Sequence, residues 1–474
     1  MAEKTREQLI HEACMKIMSE VGVYFDNPKA VDILKQNGIK VNDDNVAFFT
    51  EDEVMKYLKM APSQFTVHAI DPKNDVIMGD GSSNPAPDYG SAFVDDWEGN
   101  RRPSTWEDYV KATKLCESEP CIKFTGGILA QPNNVAQEYA TLAMFYSMIT
   151  HSEKAMIMPT GYKEEMETML AACCEWFGGK DAFCEKTRFI SLINTVSPLR
   201  LDDRMLDNLM LMAEHNQAVI VAPASMLGAT GPVFMAGAIA SGLAESLAGI
   251  CLAQMVRPGA PCVIGCQSVA ADMRGDILYA CASPEAAIMQ GYAGKMGKFY
   301  GLPSRGGGCL SDAARVNAQA GYESMLNYYN AKDNNISIII HCGGVTDAVN
   351  ALCFEKMMVD FEIMRQANFV QTPITIDEET LNLEEIAEIA QYGTFLDCDS
   401  TLENFRVLYA PKVGERSSKD PDYMHKTIMA EMQRLLDVYE ANPKGIDDEN
   451  NEKVKAVLVK AGMDAAMLDE IRAK

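Results

Sequence analysis

The sequence predicts an α/β protein: a (β/α)8 TIM barrel with an N-terminal cap of helices and a small sheet, and a helical extension at the C-terminus. Three observations lead there. From about residue 105 onward, short apolar runs alternate with longer helical stretches at roughly 30 to 45 residues per unit, the repeat of a parallel sheet. So many consecutive units within about 250 residues fit a closed barrel better than a doubly wound open sheet. The composition, 47% apolar and 23% charged over 474 residues, suits one large globular unit with attachments. The implied division is a cap over 1–104, a barrel over 105–412 and an extension over 413–474.

Within the cap, Thr5 to Val21 has helical periodicity, with Leu9, Cys14, Ile17 and Met18 on one face. Asn27-Pro28 reads as a helix start, because Asn caps and Pro fits the first turn. Thr50-Glu-Asp-Glu53 is a capping box opening a helix that ends near Pro62. Phe65 to Ile70, Asp71-Pro72 and Asp75 to Met78 read as strand, turn, strand. The run from Asn84 to Phe93 reads as a punctuated loop entering another short strand.

The barrel strands are expected at Ile122–Phe124, Ala155–Met158, Phe189–Ile193, Ala218–Val221, Cys262–Ile264, Gly301–Pro303 and Ile336–Ile340. Helices are expected between them, among others Lys163–Phe177, Asp202–His215, Ser283–Met296 and Asn317–Tyr329. Seven units are countable, and the eighth strand is looked for after residue 342. Past Lys419 the tail is charged and helical, with helices at Tyr423–Tyr439 and Asn451–Ala473, and is expected to make oligomer or partner contacts.

The net charge of −25, from 42 Lys+Arg against 67 Asp+Glu with no basic block, argues against nucleic acid as a partner. It is compatible with a cationic substrate. The N-terminus has no apolar run behind its charges, so no secretory signal is expected. Val233 to Val256 is apolar, but it holds Glu245, Gln254 and three glycines and reads as a buried helix rather than a membrane span. The 14 cysteines include no CxxC pair and read as reduced thiols of a cytoplasmic chain. The 30 methionines point to a reducing, anaerobic setting.

In such a barrel, chemistry gathers at the C-terminal ends of the strands. There the sequence offers Thr125-Gly-Gly127, Pro159-Thr-Gly161, Asn194 to Pro198, Pro223-Ala-Ser225, Gly265-Cys-Gln-Ser268, Ser304-Arg-Gly-Gly-Gly308 and His341-Cys-Gly-Gly344. Small residues dominate, and the ionisable ones are Arg305 and His341, with Asp312 a few residues on. The sequence has no paired carboxylates, GxSxG elbow, HExxH, Walker loop or GxGxxG after a strand. Six scattered histidines give no zinc spacing, so no metal site and no acid–base or covalent catalytic residue is expected. Glycines 306, 307 and 308 behind Arg305 fit a phosphate cradle, or a smooth mouth open to a large flat ligand. Composition does not choose between them.

The run Gly301 to Ala313 followed by Gln319-Ala-Gly-Tyr-Glu323 resembles the signature of the trimethylamine methyltransferase superfamily. So do Ile340 to Gly344 with Phe354-Glu-Lys356 and Asp360, and the opening from Ile10 to Val23. The resemblance covers nearly the whole chain. It implies a (β/α)8 barrel whose methyl acceptor is the Co(I) corrinoid (cobalamin) of a small cognate protein, with no cofactor held by this chain. The archaeal trimethylamine enzymes carry pyrrolysine near the stretch that here reads Ala313-Ala-Arg-Val-Asn-Ala318. The chain is therefore similar to the pyrrolysine-lacking branch, whose members demethylate quaternary amines such as glycine betaine, proline betaine, carnitine and γ-butyrobetaine.

A quaternary ammonium departs as a neutral amine and needs no proton donor, which agrees with so few acids and bases. Holding it calls for aromatic faces, and Tyr89, Phe93, Trp97 and Trp106 are the candidates. By the resemblance Tyr89 and His341 match substrate contacts, and a carboxylate on the substrate would pair with His341 or Arg305. The corrinoid-facing mouth is expected at Gly126, Gly127, Gly306, Gly307, Gly308, Gly343 and Gly344. A homo-oligomer is expected, with no membrane partner. The alternatives are a non-catalytic quaternary-amine-binding or corrinoid-protein-docking protein, and a lyase using the Arg305 loop for phosphate.

Overall fold

The computed structural model describes residues 4–275, 279–391, 393–415 and 418–474. Eight parallel strands form one sheet: β1 (Asn84–Pro85), β2 (Phe124–Gly126), β3 (Ala155–Met158), β4 (Phe189–Asn194), β5 (Ala218–Ala222), β6 (Cys262–Gly265), β7 (Ser304–Gly307) and β8 (Ile338–Ile340). Neighbours run β1-β8-β7-β6-β5-β4-β3-β2. The remaining seam is bridged where Lys123 N–H, just before β2, donates to Pro85 O at 2.8 Å, so the sheet curls into a barrel. A helix follows each strand: α1 (Trp106–Ser118), α2 (Gln137–His151), α3 (Lys163–Trp176), α4 (Asp203–Glu214), α5 (Met235–Val256), α6 (Pro284–Tyr300), α7 (Ala318–Asp333) and α8 (Phe354–Gln371). Asp202, Ser283 and Asn317 cap α4, α6 and α7 through their side-chain oxygens, which fixes where those helices begin.

Three strands differ from expectation. β2 lies at Phe124–Gly126 rather than Ile122–Phe124, because Ile122 N–H still closes the turn after α1 on Glu119 O at 3.2 Å. The eighth lies before the other seven, at Asn84–Pro85, within the stretch read as a loop. Pro85 has no N–H, but the ladder to β8 uses only the amides of Asn84 and Ala86, which donate to Ser337 O and Ile339 O. The chain after residue 342 forms a hairpin instead, Val345–Thr346 with Ala351–Leu352, in a rim sheet with Phe93–Asp95 and Arg101–Pro103. β7 also differs, running over Ser304–Gly307 rather than Gly301–Pro303. Gly301 ends α6 in the left-handed conformation at φ 70°.

Strand side chains alternate between barrel interior and helix layer. Ile190, Leu192, Ala218, Ile220, Val263, Ile338 and Ile340 fill the interior, while Phe189, Ile193, Val219, Val221 and Ile264 pack under the helices. The antiparallel hairpin Phe65–Val67 and Val76–Met78 closes the N-terminal end of the barrel. Its return is held by His68 N–H on Thr187 O and Asp71 N–H on Glu153 O, just ahead of β4 and β3. Helix α5 is long and apolar enough to cross a membrane, yet it lies inside the fold. β5 and β6 cover one side and the N-terminal helices Arg6–Lys16, Pro28–Gln36 and Glu51–Leu58 the other, so it is apolar all round. Its Glu245 accepts from Ser197 Oγ and Leu199 N, both at 2.8 Å, and from Thr195 Oγ1.

The tail folds back onto the barrel. Tyr423–Ala441 lies on α1 and α8, Asp448–Lys460 on α3, and Ala465–Ala473 on α2. The last two were expected as one helix. They are separated at Gly462, φ 102°.

Candidate active site

The loop after β1 is stitched to both of its neighbours at the mouth. Cys342 N–H donates to Ala86 O, His341 N–H to Pro87 O and Gly90 N–H to Ile128 O, at 2.7–3.0 Å. Asp88 and Tyr89 are thereby fixed between the ends of β8 and β2. Tyr89 is buried, its hydroxyl 3.2 Å from Thr160 Oγ1 past β3. Its ring lies against Gly127 so closely that a Cβ there would come 2.6 Å from two ring carbons.

His341 is the first residue past β8, and its φ of 65° is a strained, left-handed conformation. Its Nδ1 lies 3.0 Å from Asp88 Oδ1, and Asp88 also accepts from Ser91 Oγ. A carboxylate accepts, so Nδ1 carries the hydrogen and Nε2 presents its lone pair. Burial presses the imidazole pKa below its usual value, and the Arg305 charge adds to this against the pull of Asp88.

Arg305 projects inward from β7 and is 1% exposed. Its guanidinium donates to Cys266 O at 2.9 Å and to Gln267 Oε1. Among the described residues it forms no ion pair, and both its Nε and the Gln267 Nε2 are buried donors without an acceptor. Burial pushes its pKa down to about 10. Tyr89 and Tyr279 both feel its charge. A buried cation without a counter-charge is costly, and these free donors suit the anionic end of a ligand.

The structure thus brings Tyr89, Arg305 and His341 to one mouth and leaves the other aromatics elsewhere. Phe93 is on the rim sheet, 38% exposed, under the Arg101 guanidinium. Trp97 packs on His425, and Trp106 lies under Lys474. Asp312 accepts from the amides of Cys281 and Ala282 and so anchors the segment bearing Tyr279. The glycines also differ from expectation. A Cβ on Gly126 would meet Met148, on Gly307 Gln290, on Gly308 Cys342, and on Gly343 and Gly344 Met357. On Gly306 it would lie toward Ile336 and Gln290. All six are buried and face packed side chains rather than an open rim, so they let helices and loops close on the barrel wall. Only Gly127 faces the site. Asp88, Gln267 and Tyr279 were not foreseen. Asp88 and Gln267 lie in stretches whose ends were recognised, but nothing in the sequence marks Tyr279.

A cleft of about 540 Å³ opens beside Thr160, lined by Ile128, Gln131, Gly161, Tyr162 and Arg204 among others. Another, of about 600 Å³, lies around Lys73, Lys123 and Lys154 at the opposite end of the barrel, away from these groups.

The family model for trimethylamine methyltransferase (MTTB) matches residues 1–444. The chain belongs to the trimethylamine methyltransferase family. It is 36% identical to the glycine betaine methyltransferase of Desulfitobacterium hafniense (strain Y51), covering 96% of this chain and 95% of that one. It is 27% identical to the proline betaine:corrinoid methyltransferase of Eubacterium limosum, with 87% of each chain covered. In fold it is similar to the monomethylamine methyltransferase of Methanosarcina barkeri, with a TM-score of 0.51 at 10% identity over 92% of this chain and 99% of that one. The residues that carried the resemblance to this family hold the mouth loops in place. Lys356 Nζ donates to Cys309 O, Ser324 Oγ and Asp360, and Asp360 accepts from Gly344 N–H at 2.7 Å. Glu323 accepts from Ser311 Oγ and Asp312 N, both at 2.9 Å.

Proposed function

We propose that this chain moves a methyl group from a betaine-type quaternary amine to the Co(I) corrinoid of a separate small protein. The observation that carries the reading is Arg305. A buried guanidinium with no acidic partner among the described residues, beside the free amide of Gln267 and on the same mouth as two tyrosines, suits a zwitterion. The carboxylate would take the free Arg305 and Gln267 donors. The N-methyl groups would lie on Tyr89 and Tyr279, because they make no conventional hydrogen bond and are attracted to aromatic faces. The printed activities of the betaine-acting relatives support the same substrate class.

When docked, a corrinoid supplies the two-electron nucleophile; the methyl carbon changes partner while the C–N pair stays on nitrogen, which leaves as a neutral tertiary amine. What this chain does is orient. Neutral His341 offers only a lone pair and donates no proton. Tyr89 stays a neutral phenol because burial raises its pKa. With Tyr89 a neutral phenol and His341 a neutral imidazole, a substrate that is already quaternary, and so needs no proton on nitrogen, suits this mouth.

The test is methyl transfer to cob(I)alamin under strict reduction, with glycine betaine, proline betaine, carnitine and γ-butyrobetaine supplied in turn. At least one should yield its tertiary amine. Ligand binding without transfer, or no transfer from any of them, overturns the reading. In Arg305→Leu the KM for that betaine should rise about 30-fold or more, while the slower reaction with tetramethylammonium, which has no carboxylate, is unchanged.

A further inference from the structure

Helix α8 ends at Gln371, and the chain returns to it where Tyr409 Oη donates to Glu362 Oε1 at 2.7 Å. Among the described residues between these points none is buried. The excursion nonetheless carries large apolar side chains. Ile374, Ile376, Leu383, Leu396, Val407 and Leu408 are each at least 67% exposed. Leu381, Ile386, Phe395, Leu402 and Phe405 are exposed as well, so eleven large apolar side chains of this one excursion face water. Left open to water, a patch of that size is an aggregation hazard.

Two features point to what covers it. The barrel helices run antiparallel to the strands, so Gln371 lies at the end opposite the mouth, about 27 Å down the 18-residue α8. A partner delivering a methyl acceptor to Tyr89 and Arg305 would be on the wrong side. The root of the excursion also lies beside α7, where Lys332 Nζ bonds Asn368 Oδ1. The outer face of α7 has its own uncovered stripe, Tyr322, Leu326 and Tyr329, at helical spacings of four and three. Charge fits as well. Residues 372–408 hold nine acids and one Arg, and the neighbouring face of α6 presents Lys295 and Lys298 to solvent.

We propose that residues 372–408 are an exchanged arm: two copies of this chain pair about a two-fold axis, and each arm covers the α7 stripe of the other. The contact is reciprocal and closes at two copies. It does not depend on the proposed reaction.

Light scattering on the full chain tests it. The wild type should have twice the 52.1 kDa chain mass. An arm variant, Ile376→Glu with Leu396→Glu, and a stripe variant, Tyr322→Glu with Leu326→Glu, should each be monomeric with an unchanged circular dichroism spectrum. Mixing the two should restore dimers, because one good arm then meets one good stripe. A monomeric wild type, a stripe variant that stays dimeric, or a mixture that stays monomeric overturns the proposal.

Discussion

The residue that sets the state of the mouth is Asp88, through His341. Its carboxylate takes the Nδ1 hydrogen and so decides which nitrogen faces the site. Replacing it with Ala should lower kcat/KM about 10- to 100-fold, and Asp88→Asn, whose amide oxygen still accepts, should restore most of it. The ring's folded pKa lies below its ordinary 6.5. The neutral form therefore predominates at pH 6.5 and gives way at more acid pH. The unfolded chain binds the proton more readily there, so acidification also weakens the fold. The acid limb of a pH–rate profile should have its midpoint below 6.5. An acid limb at or above 6.5 would contradict this. At this scale the sequence was readable where a side chain is both chemically distinctive and next to a recognised strand end, as with His341 and Arg305. Asp88 and Gln267 matter through what they touch, and contact across the barrel leaves no mark on local pattern.

Among elements, the glycine-rich strand ends owe much of their composition to close packing. Glycines 307, 308 and 344 are places where a helix or loop comes too near for a Cβ. Gly127 is the informative exception, because its missing side chain is filled by the Tyr89 ring. Gly127→Ala combines φ 71° with a 2.6 Å clash against that ring, so Tyr89 has to move. Betaine affinity should fall about tenfold, the worth of one displaced aromatic contact to a cation, as read by titration calorimetry on folded protein. Unchanged affinity would mean that Tyr89 does not touch the ligand. β1 escaped the reading because two residues, one of them proline, carry no periodicity. Their strand character comes from the gap between β8 and β2. The apolar strands β4 and β5, of six and five residues, needed no such context.

On the scale of the molecule, the C-terminal extension acts as a clasp, and its charges show how it is fastened. The Arg365 guanidinium on α8 bonds Glu119 at the end of α1, and Glu431 of the extension at 2.7 Å. Arg434 engages the same Glu431 at 2.6 and 2.8 Å. Burial alone would raise the Glu431 carboxyl, yet Arg434 and Arg365 hold it below its usual range. A carboxyl with a depressed folded pKa adds stability above its unfolded value near 4.5, and that contribution is lost as pH falls through the folded value. Arg365→Leu removes the shared cation and leaves Glu119 and Glu431 facing each other, at a cost of about 3 kcal/mol near neutrality. The deficit against wild type should shrink as pH falls below 4.5, because protonated carboxyls no longer repel and the wild type has lost the same contribution. Denaturant unfolding at both pH values measures this, and limited proteolysis at neutral pH should release the extension from the variant first. A deficit independent of pH would mean that Arg365 acts by packing, and that the clasp is held by the apolar faces of its three helices alone.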